Sequence, residues 1–256
     1  MQNNTFFGLY SPQNVIVLEE IHSTNDYAKE LLTNFKPQID LTAIMAKHQT
    51  AGKGQRGAQW LTQPHANLAV SIIHTPNNLS IHKQFNLTIA SSLATYDVIK
   101  MYLDQEAFIK WPNDIMIQNR KIAGILIENK LAGQNIKHAI FGIGINIEQT
   151  QFHNDIAHKT TSFKLENSEL HLTKLEIVHN LQERLNFYLN QVEKNFDVTF
   201  NTYKSKLYKR NLKTSYSIEG KVCEAEIIDV NQDGQLIMQI NGDLRSFNLK
   251  EVNYLL

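Results

Sequence analysis

The chain has 256 residues, enough to bury one sizeable core or one core plus a small module. Its 25 Lys and Arg balance 25 Asp and Glu, so no net basic field points to nucleic acid or anionic lipid. The lone cysteine, Cys223, excludes an intramolecular disulfide framework and a cysteine-built metal centre. Met1 to Thr5 has neither the basic start nor the apolar core of a secretory signal. No apolar run approaches the ~20 residues that span a bilayer, and the expected compartment is the cytoplasm.

In chain order, Val15 to Leu18 reads as a short apolar strand leading into Ser23-Thr24. From Asn25 to Phe35, Tyr27, Ala28, Leu31, Leu32 and Phe35 share one helical face, with Ser23 or Thr24 able to cap it and Pro37 to end it. Apolar strands over Leu41 to Ala46 and Leu68 to Ile73 flank a loop, Gln49-Thr50-Ala51-Gly52-Lys53-Gly54-Gln55-Arg56-Gly57. Its glycines let the backbone turn through positive φ and offer N–H groups to an anion. Lys53 and Arg56 add positive charge to that nest. No Gly-Lys-Ser/Thr closes the loop, and no helix follows Gly57, so neither a Walker A loop nor a dinucleotide fingerprint is present. A flexible surface loop is the alternative for this segment taken alone.

Phe85 to Leu103 approximates a helical repeat, and strands then cluster from Phe108 to Ile147, with turn signals at Gln118-Asn119 and Gly133-Gln134-Asn135. Two of these strands carry Lys110 and Lys121 within apolar runs, around Lys110-Trp111-Pro112-Asn113-Asp114 and Arg120-Lys121-Ile122-Ala123-Gly124-Ile125-Leu126. An ammonium is costly to desolvate unless an anion meets it; the two lysines are either exposed strand ends or part of a phosphate-ligand site with the glycine loop. Thr173-Lys174-Leu175-Glu176 is a capping-box pattern opening a helix through about Leu189. After about Leu212, strands over Val222–Val230, Gln235–Ile240 and Leu244–Leu249 are punctuated by Glu219-Gly220, Asp233-Gly234 and Asn241-Gly242, the pattern of a small β-barrel. Helices with mixed strands followed by an all-β segment give an α+β chain, divided as 1–210 and 211–256.

Together these motifs resemble the biotin protein ligases. Ser23-Thr24-Asn25 is similar to the family's Ser-Thr-Asn element, Gln49 to Trp60 to its adenylate loop, and Lys110–Asp114 with Arg120–Leu126 to its paired lysine motifs. Gly142-Ile143-Gly144-Ile145-Asn146 is similar to a further family strand, so the likeness runs from about Ile21 to Ile147. It implies a mixed-sheet, class II synthetase-like ligase domain followed by an SH3-like β-barrel, and a reaction in two steps. Biotin is activated by ATP to biotinyl-5′-AMP, then transferred to a lysine of the biotin carboxyl carrier protein of a carboxylase.

The resemblance also implies roles. Lys121, Lys53 and Arg56 are the catalytic candidates. Ser23, Thr24, Asn25, Gln49, Gly52, Gly54, Gln55, Lys121 and Gly124 are expected at biotin. Lys53, Gln55, Arg56, Trp60, Lys110, Asn113 and Asn146 are expected at ATP or the adenylate, with Asp114 holding Mg²⁺. Each has a structural alternative: Ser23-Thr24 as a helix cap, Trp60 and Trp111 as core aromatics, Asp114 as a turn cap. The ten histidines, without a ligating spacing, read as structural.

The family commonly has Arg where this chain has Lys53 and Gln55. Lysine offers no bidentate fork and glutamine no charge, which implies weaker retention of the adenylate. Arrival of the Ser-Thr-Asn element by residue 23 implies a mono-functional ligase without a DNA-binding module; the resemblance also makes a homodimer by strand-edge pairing an expectation, to which no residue of this chain points. The alternatives are a lipoate–protein ligase, a transcriptional repressor, and a non-catalytic biotinyl-adenylate-binding protein.

Overall fold

Near-continuous apolar runs such as Ala43 to Ala46 and Leu68 to Ile73 build strands buried on both faces of a sheet. The computed structural model describes residues 14–34, 38–60 and 62–255. In order, the first half contains β1 (Val15–Ile21), α1 (Thr24–Asn34), β2 (Ala43–Gln49), β3 (Leu68–His74), β4 (Leu79–Ser80) and α2 (Phe85–Lys100). Next come β5 (Ala107–Lys110), β6 (Asp114–Ile117), β7 (Arg120–Ala132) and β8 (Asn135–Ile145), then two short helices, α3 (Asn154–Ala157) and α4 (Phe163–Glu166). Helices α5 (Lys174–Lys194) and α6 (Phe196–Ser205) precede β9 (Lys213–Ile218), β10 (Lys221–Val230), β11 (Leu236–Ile240), β12 (Asp243–Phe247) and β13 (Val252–Tyr254). The expected end of α1 at Phe35 and Pro37, and the reading of Met1 to Thr5, lie outside the described residues.

The first sheet has eight strands in the order β1-β2-β3-β8-β7-β6-β5, with β4 added against β8. Strands β1 and β2 run parallel and the others antiparallel, so the sheet is mixed. Successive side chains point to opposite faces. On β2, Ala43 and Met45 enter the large core under α2 and α5, whereas Ile44 meets α1 with Leu18, Ala28, Leu31, Ile73 and Ile140. Helix α2 is buried nearly all round because the sheet covers one side and α5 and α6 the other. Each fully buried Ile or Leu in this layer contributes roughly 1.5–3 kcal/mol.

Strands β9 to β13 form a second, wholly antiparallel sheet in the order β12-β11-β10-β9-β13. Its turns at Glu219-Gly220 and Asn241-Gly242 have positive φ at both residues, 52° and 79°, 51° and 95°, as two-residue hairpin turns require. Tyr216, Ile218, Ile227, Leu236 and Phe247 join the same buried cluster as α2 and the first sheet. Trp111, buried between the two sheets, donates its indole N–H to the Gly234 carbonyl at 3.0 Å; here the core reading of Trp111 holds. The fold is α+β.

Three local expectations need adjustment. Strands β9 and β13 and helix α6 extend the pattern read from sequence. The Thr173 side chain does not accept an N–H at the start of α5; it donates instead to the Glu176 carboxylate, 3.2 Å away, so the side-chain cap expected of a capping box is replaced by a side-chain pair. Only Gly57 of the glycine loop has positive φ, 84°. Gly52 is instead a close approach, since a Cβ there would stand 2.4 Å from the Trp60 carbonyl oxygen. No described helix is long and apolar enough to cross a membrane.

Candidate active site

The α1 face of the first sheet is bare beyond the helix N-terminus, because Gly124, Gly142 and Gly144 place no side chains there. A Cβ on Gly142 would fall 2.4 Å from Asn25 Oδ1, and one on Gly144 2.3 Å from Trp60 Cε2. The glycines thus let Asn25 and Trp60 lie on the sheet backbone, and alanine would displace both.

Ser23 caps α1, accepting the Asp26 N–H at 3.4 Å, so the cap reading holds while the same residues line a cavity. The Thr24 N–H and hydroxyl both donate to Gln49 Oε1, at 2.8 and 3.0 Å. Ser71, fully buried on β3, has its Oγ 2.7 Å from Thr24 Oγ1 and 2.5 Å from Asn25 Oδ1; its one proton serves one of them at a time. The Asn25 amide donates to Glu128 at 2.8 Å, and Glu128 pairs with Lys29 at 2.7 Å. Ser71 and Glu128 were not identifiable from sequence: each sits in an apolar strand with no motif around it, and only the sheet register brings them beneath α1.

The two lysines are aimed by strand geometry. Lys110 and Asp114 are register partners across the β5–β6 hairpin. Between β6 and β7 the register shifts, from Ile115 opposite Ala123 to Met116 opposite Lys121. In an unbroken ladder Lys121 would face the apolar core beside Ile115 and Ala123. The bulge turns it onto the Asp114 and Gly124 face, the kind of re-aiming that bulges perform. Lys121 Nζ then lies 2.6 Å from Asp114 Oδ1 and 5.5 Å from the Trp60 ring centroid. Gly124 leaves room for this path, since a Cβ there would stand 2.9 Å from Lys121 Nζ and shift the end of that side chain.

Lys110 Nζ is 3.8 Å from Asp114 Oδ2 and 5.2 Å from the Tyr254 ring centroid. Burial, and then the neighbouring Lys121 and Lys159 ammonium groups, hold Lys110 below the ordinary lysine range, against the pull of Asp114.

The glycine loop closes on itself: Trp60 N–H donates to Gly52 O at 2.9 Å and Gly54 N–H to Ala58 O at 2.7 Å. Lys53 places Nζ 2.9 and 2.6 Å from the two Asp26 oxygens. Burial alone would raise the Asp26 carboxyl, but hydrogen bonds from Lys53 and Lys29 hold it below its usual range. Lys53, expected at the adenylate junction, lines the site while its ammonium pairs with Asp26, so it also ties the loop to the helix. Gly54 and Gln55 line the site; Gly52 does not. The Arg56 side chain lies outside the described residues.

Two adjoining cavities result, of about 300 Å³ and 690 Å³. The first is walled by Ser23, Thr24, Asn25, Gln49 and Gly124, and by Asn113, whose amide donates to the Ile125 carbonyl. The second takes in Asn146, whose amide donates to Thr161 O at 3.0 Å, with Phe152, Ile156 and His158. Asn113, expected at the nucleotide, lines the first cavity together with Lys53, Gln55, Trp60 and Lys110. Trp60, Lys110, Asp114, Lys121 and Tyr254 line both cavities. Trp60 is a site wall, its indole N–H buried and without a partner among the described residues.

The donor set does not fit Mg²⁺ on Asp114. Its carboxylate already faces the ammonium groups of Lys121 and Lys110, and a hard cation there would meet two like charges. Among the described residues no group of three or more His, Cys, Asp and Glu is arranged to hold a metal.

Comparison with known proteins converges on the same segment. The family described as the biotin/lipoate A/B protein ligase family matches residues 17–146, half of the chain. A bifunctional ligase/repressor, BirA, of Bacillus spizizenii is 34% identical over 137 residues, 54% of this chain and 41% of that protein. A biotin–[acetyl-CoA-carboxylase] ligase of Paracoccus denitrificans is 33% identical over 134 residues, 51% of this chain and 53% of that one. The matches to these relatives thus span about half of their length or less. In fold, a biotin protein ligase from Aquifex aeolicus in complex with biotin and ATP superimposes with a TM-score of 0.77, at 23% identity, over 94% of this chain and 97% of that one. Every site residue from Ser23 to Asn146 falls inside the family match, and on that ground the chain belongs to the biotin/lipoate A/B protein ligase family.

Proposed function

We propose that the chain is a biotin–protein ligase that forms biotinyl-5′-AMP from biotin and ATP and passes biotin to a lysine of a biotin carboxyl carrier protein. The observation that carries this reading is the meeting of two cavities at one cationic cluster, Lys110 and Lys121 about Asp114. One cavity takes the vitamin and the other the nucleotide, so carboxylate and α-phosphate come together where positive charge is fixed in place.

In the first step a biotin carboxylate oxygen bonds to the α-phosphorus as the α–β bridging bond breaks, and pyrophosphate leaves with that electron pair. Lys121, re-aimed by the bulge, offsets the repulsion between the two anions; Lys110 meets the nucleotide phosphates. In the second step the carrier lysine's ε-amine attacks the mixed-anhydride carbonyl, the C–O bond to AMP breaks, and the amine proton passes to solvent. Trp60 separates the two substrates' planar groups, and Asn146 faces the nucleotide. No magnesium ligand is assigned to the protein; the ion accompanies the ATP phosphates as part of the substrate. In this reading residues 1–210 form the catalytic unit, 211–256 the appended β unit, and the enzyme works in the cytoplasm.

Biotin is favoured over lipoate by the polar wall of the first cavity. Thr24, Asn25 and Gln49, with Ser71 bonded behind them, present hydrogen-bonding groups to a ureido ring, which has two N–H donors and a carbonyl. A dithiolane has neither, and would bury those polar groups without gaining a contact from them. Biotin-dependent exchange of pyrophosphate into ATP tests the proposal. Exchange with biotin and none with lipoate supports it; exchange with lipoate alone, or with neither, rejects it.

A further inference from the structure

Lys110 sits on a flexible side chain at the junction of the cavities, yet its anionic neighbour does not fix it. Asp114 is taken by Lys121 at 2.6 Å, and the 3.8 Å separation left to Lys110 is too long for a hydrogen bond. What lies under the ammonium is the face of Tyr254, 5.2 Å from Nζ to the ring centroid. An ammonium over an aromatic face is held by the ring quadrupole, more strongly where water is excluded.

That ring is itself fixed. Tyr254 is paired in β13 with Tyr216 of β9. Its ring meets Tyr216 edge-on, with centroids 5.4 Å apart and planes at 71°, and Tyr208 at 6.0 Å and 33°. It lines both cavities, beside the phosphate-facing lysine but far along the chain from every motif.

We propose that Tyr254 is a positioning residue for nucleotide binding, its ring face holding the Lys110 ammonium at the cavity junction with its N–H groups turned to phosphate. The second sheet thereby supplies part of the nucleotide site. Burial disfavours the Lys110 charge, and the ring compensates without competing for its protons. The inference rests on the proposed function only in naming the nucleotide as ATP.

The test reads ATP dissociation constants by calorimetry on the full chain, which needs no turnover and no biotin. Tyr254→Phe keeps the ring and is expected within about twofold of the parent, whereas Tyr254→Leu is expected to weaken ATP roughly 5- to 20-fold. In a Lys110→Met background Tyr254→Leu should add less than about twofold, because the partner is gone. Should the Leu variant fail to fold, mono-, di- and trifluorinated phenylalanine at 254 keep the shape while draining the ring face, and ATP should weaken with each fluorine. Unchanged affinity along that series, equal losses with and without Lys110, or a Phe variant as weak as Leu would each overturn the inference. Tyr254-dependent ATP binding without biotin-dependent pyrophosphate exchange would leave it standing and reject the ligase reading alone.

Discussion

Replacing Lys121 by Met removes one charge and keeps a side chain of similar length against Trp60. At about 4 Å and an effective dielectric of ~20, an ammonium attracts each facing anion by about 4 kcal/mol. In the resting enzyme part of this is already taken up by Asp114, 2.6 Å away. The net loss falls near that for removing one preorganised donor from a developing oxyanion, about 2.7–4 kcal/mol, or 10²- to 10³-fold in rate. Stability should barely move: side-chain exposures of 31% for Lys121 and 23% for Asp114 make this a partly solvated pair, worth at most about 1 kcal/mol. The assay is single-turnover formation of biotinyl-5′-AMP with biotin and ATP saturating, alongside thermal unfolding. A drop of 10²- to 10³-fold with a nearly unchanged Tm is expected. A rate within threefold of the parent would refute the role of Lys121, and a collapse in Tm would assign the loss to folding.

Ser71→Ala leaves Thr24 Oγ1 and Asn25 Oδ1 without their shared proton. It should cost about 1–3 kcal/mol of stability and weaken biotin roughly tenfold, with ATP affinity unchanged; calorimetry for each ligand checks this. Lys110 is held below its ordinary value of 10.5, so its charge is lost as pH rises through the lowered value, and ATP binding should weaken on the alkaline side before pH 10.5. In Lys110→Arg that alkaline limb should vanish, because guanidinium does not titrate there; an identical profile in both proteins would contradict the assignment. Gln55→Arg restores a cation on the loop that lines the first cavity and should slow release of biotinyl-5′-AMP several-fold, measured by chasing preformed adenylate; an unchanged off-rate rejects the idea.

Much of the site was legible because its chemistry is carried by short motifs on regular elements. Ser23 to Asn25 announce a helix cap, and the lysines stand out in apolar strands. The paired lysine motifs place Lys110, Asp114 and Lys121 within a dozen residues, so local hairpin pairing alone brings them together. What sequence could not supply was register and long-range pairing. The Lys121 bulge depends on how β6 and β7 align, and nothing in Ile115-Met116 or Ile122-Ala123 marks it. Lys53 stands out by charge and position in the loop, but its pairing with Asp26, in the first turn of α1, is a long-range contact that no motif marks. Asp114 looked like a metal ligand until two ammonium groups were found on it. Tyr254 is separated from Lys110 by most of the second sheet and sits in a three-residue strand whose alternation is too short to read. The strands of that sheet with longer apolar runs were readable; β9, with only Tyr216 and Ile218 apolar among Lys, Thr and Ser, was not, although Glu219-Gly220 follows it.

The central claim, that the vitamin's acid oxygen becomes bonded to the nucleotide's innermost phosphorus, can be followed atom by atom. Biotin labelled with ¹⁸O in both carboxylate oxygens is turned over with ATP and an acceptor carrier domain, and the AMP is analysed by mass spectrometry. One ¹⁸O should appear in the phosphate of each AMP, with the other retained in the amide carbonyl of the biotinylated lysine. AMP free of label, or ADP and phosphate as products, would contradict the account.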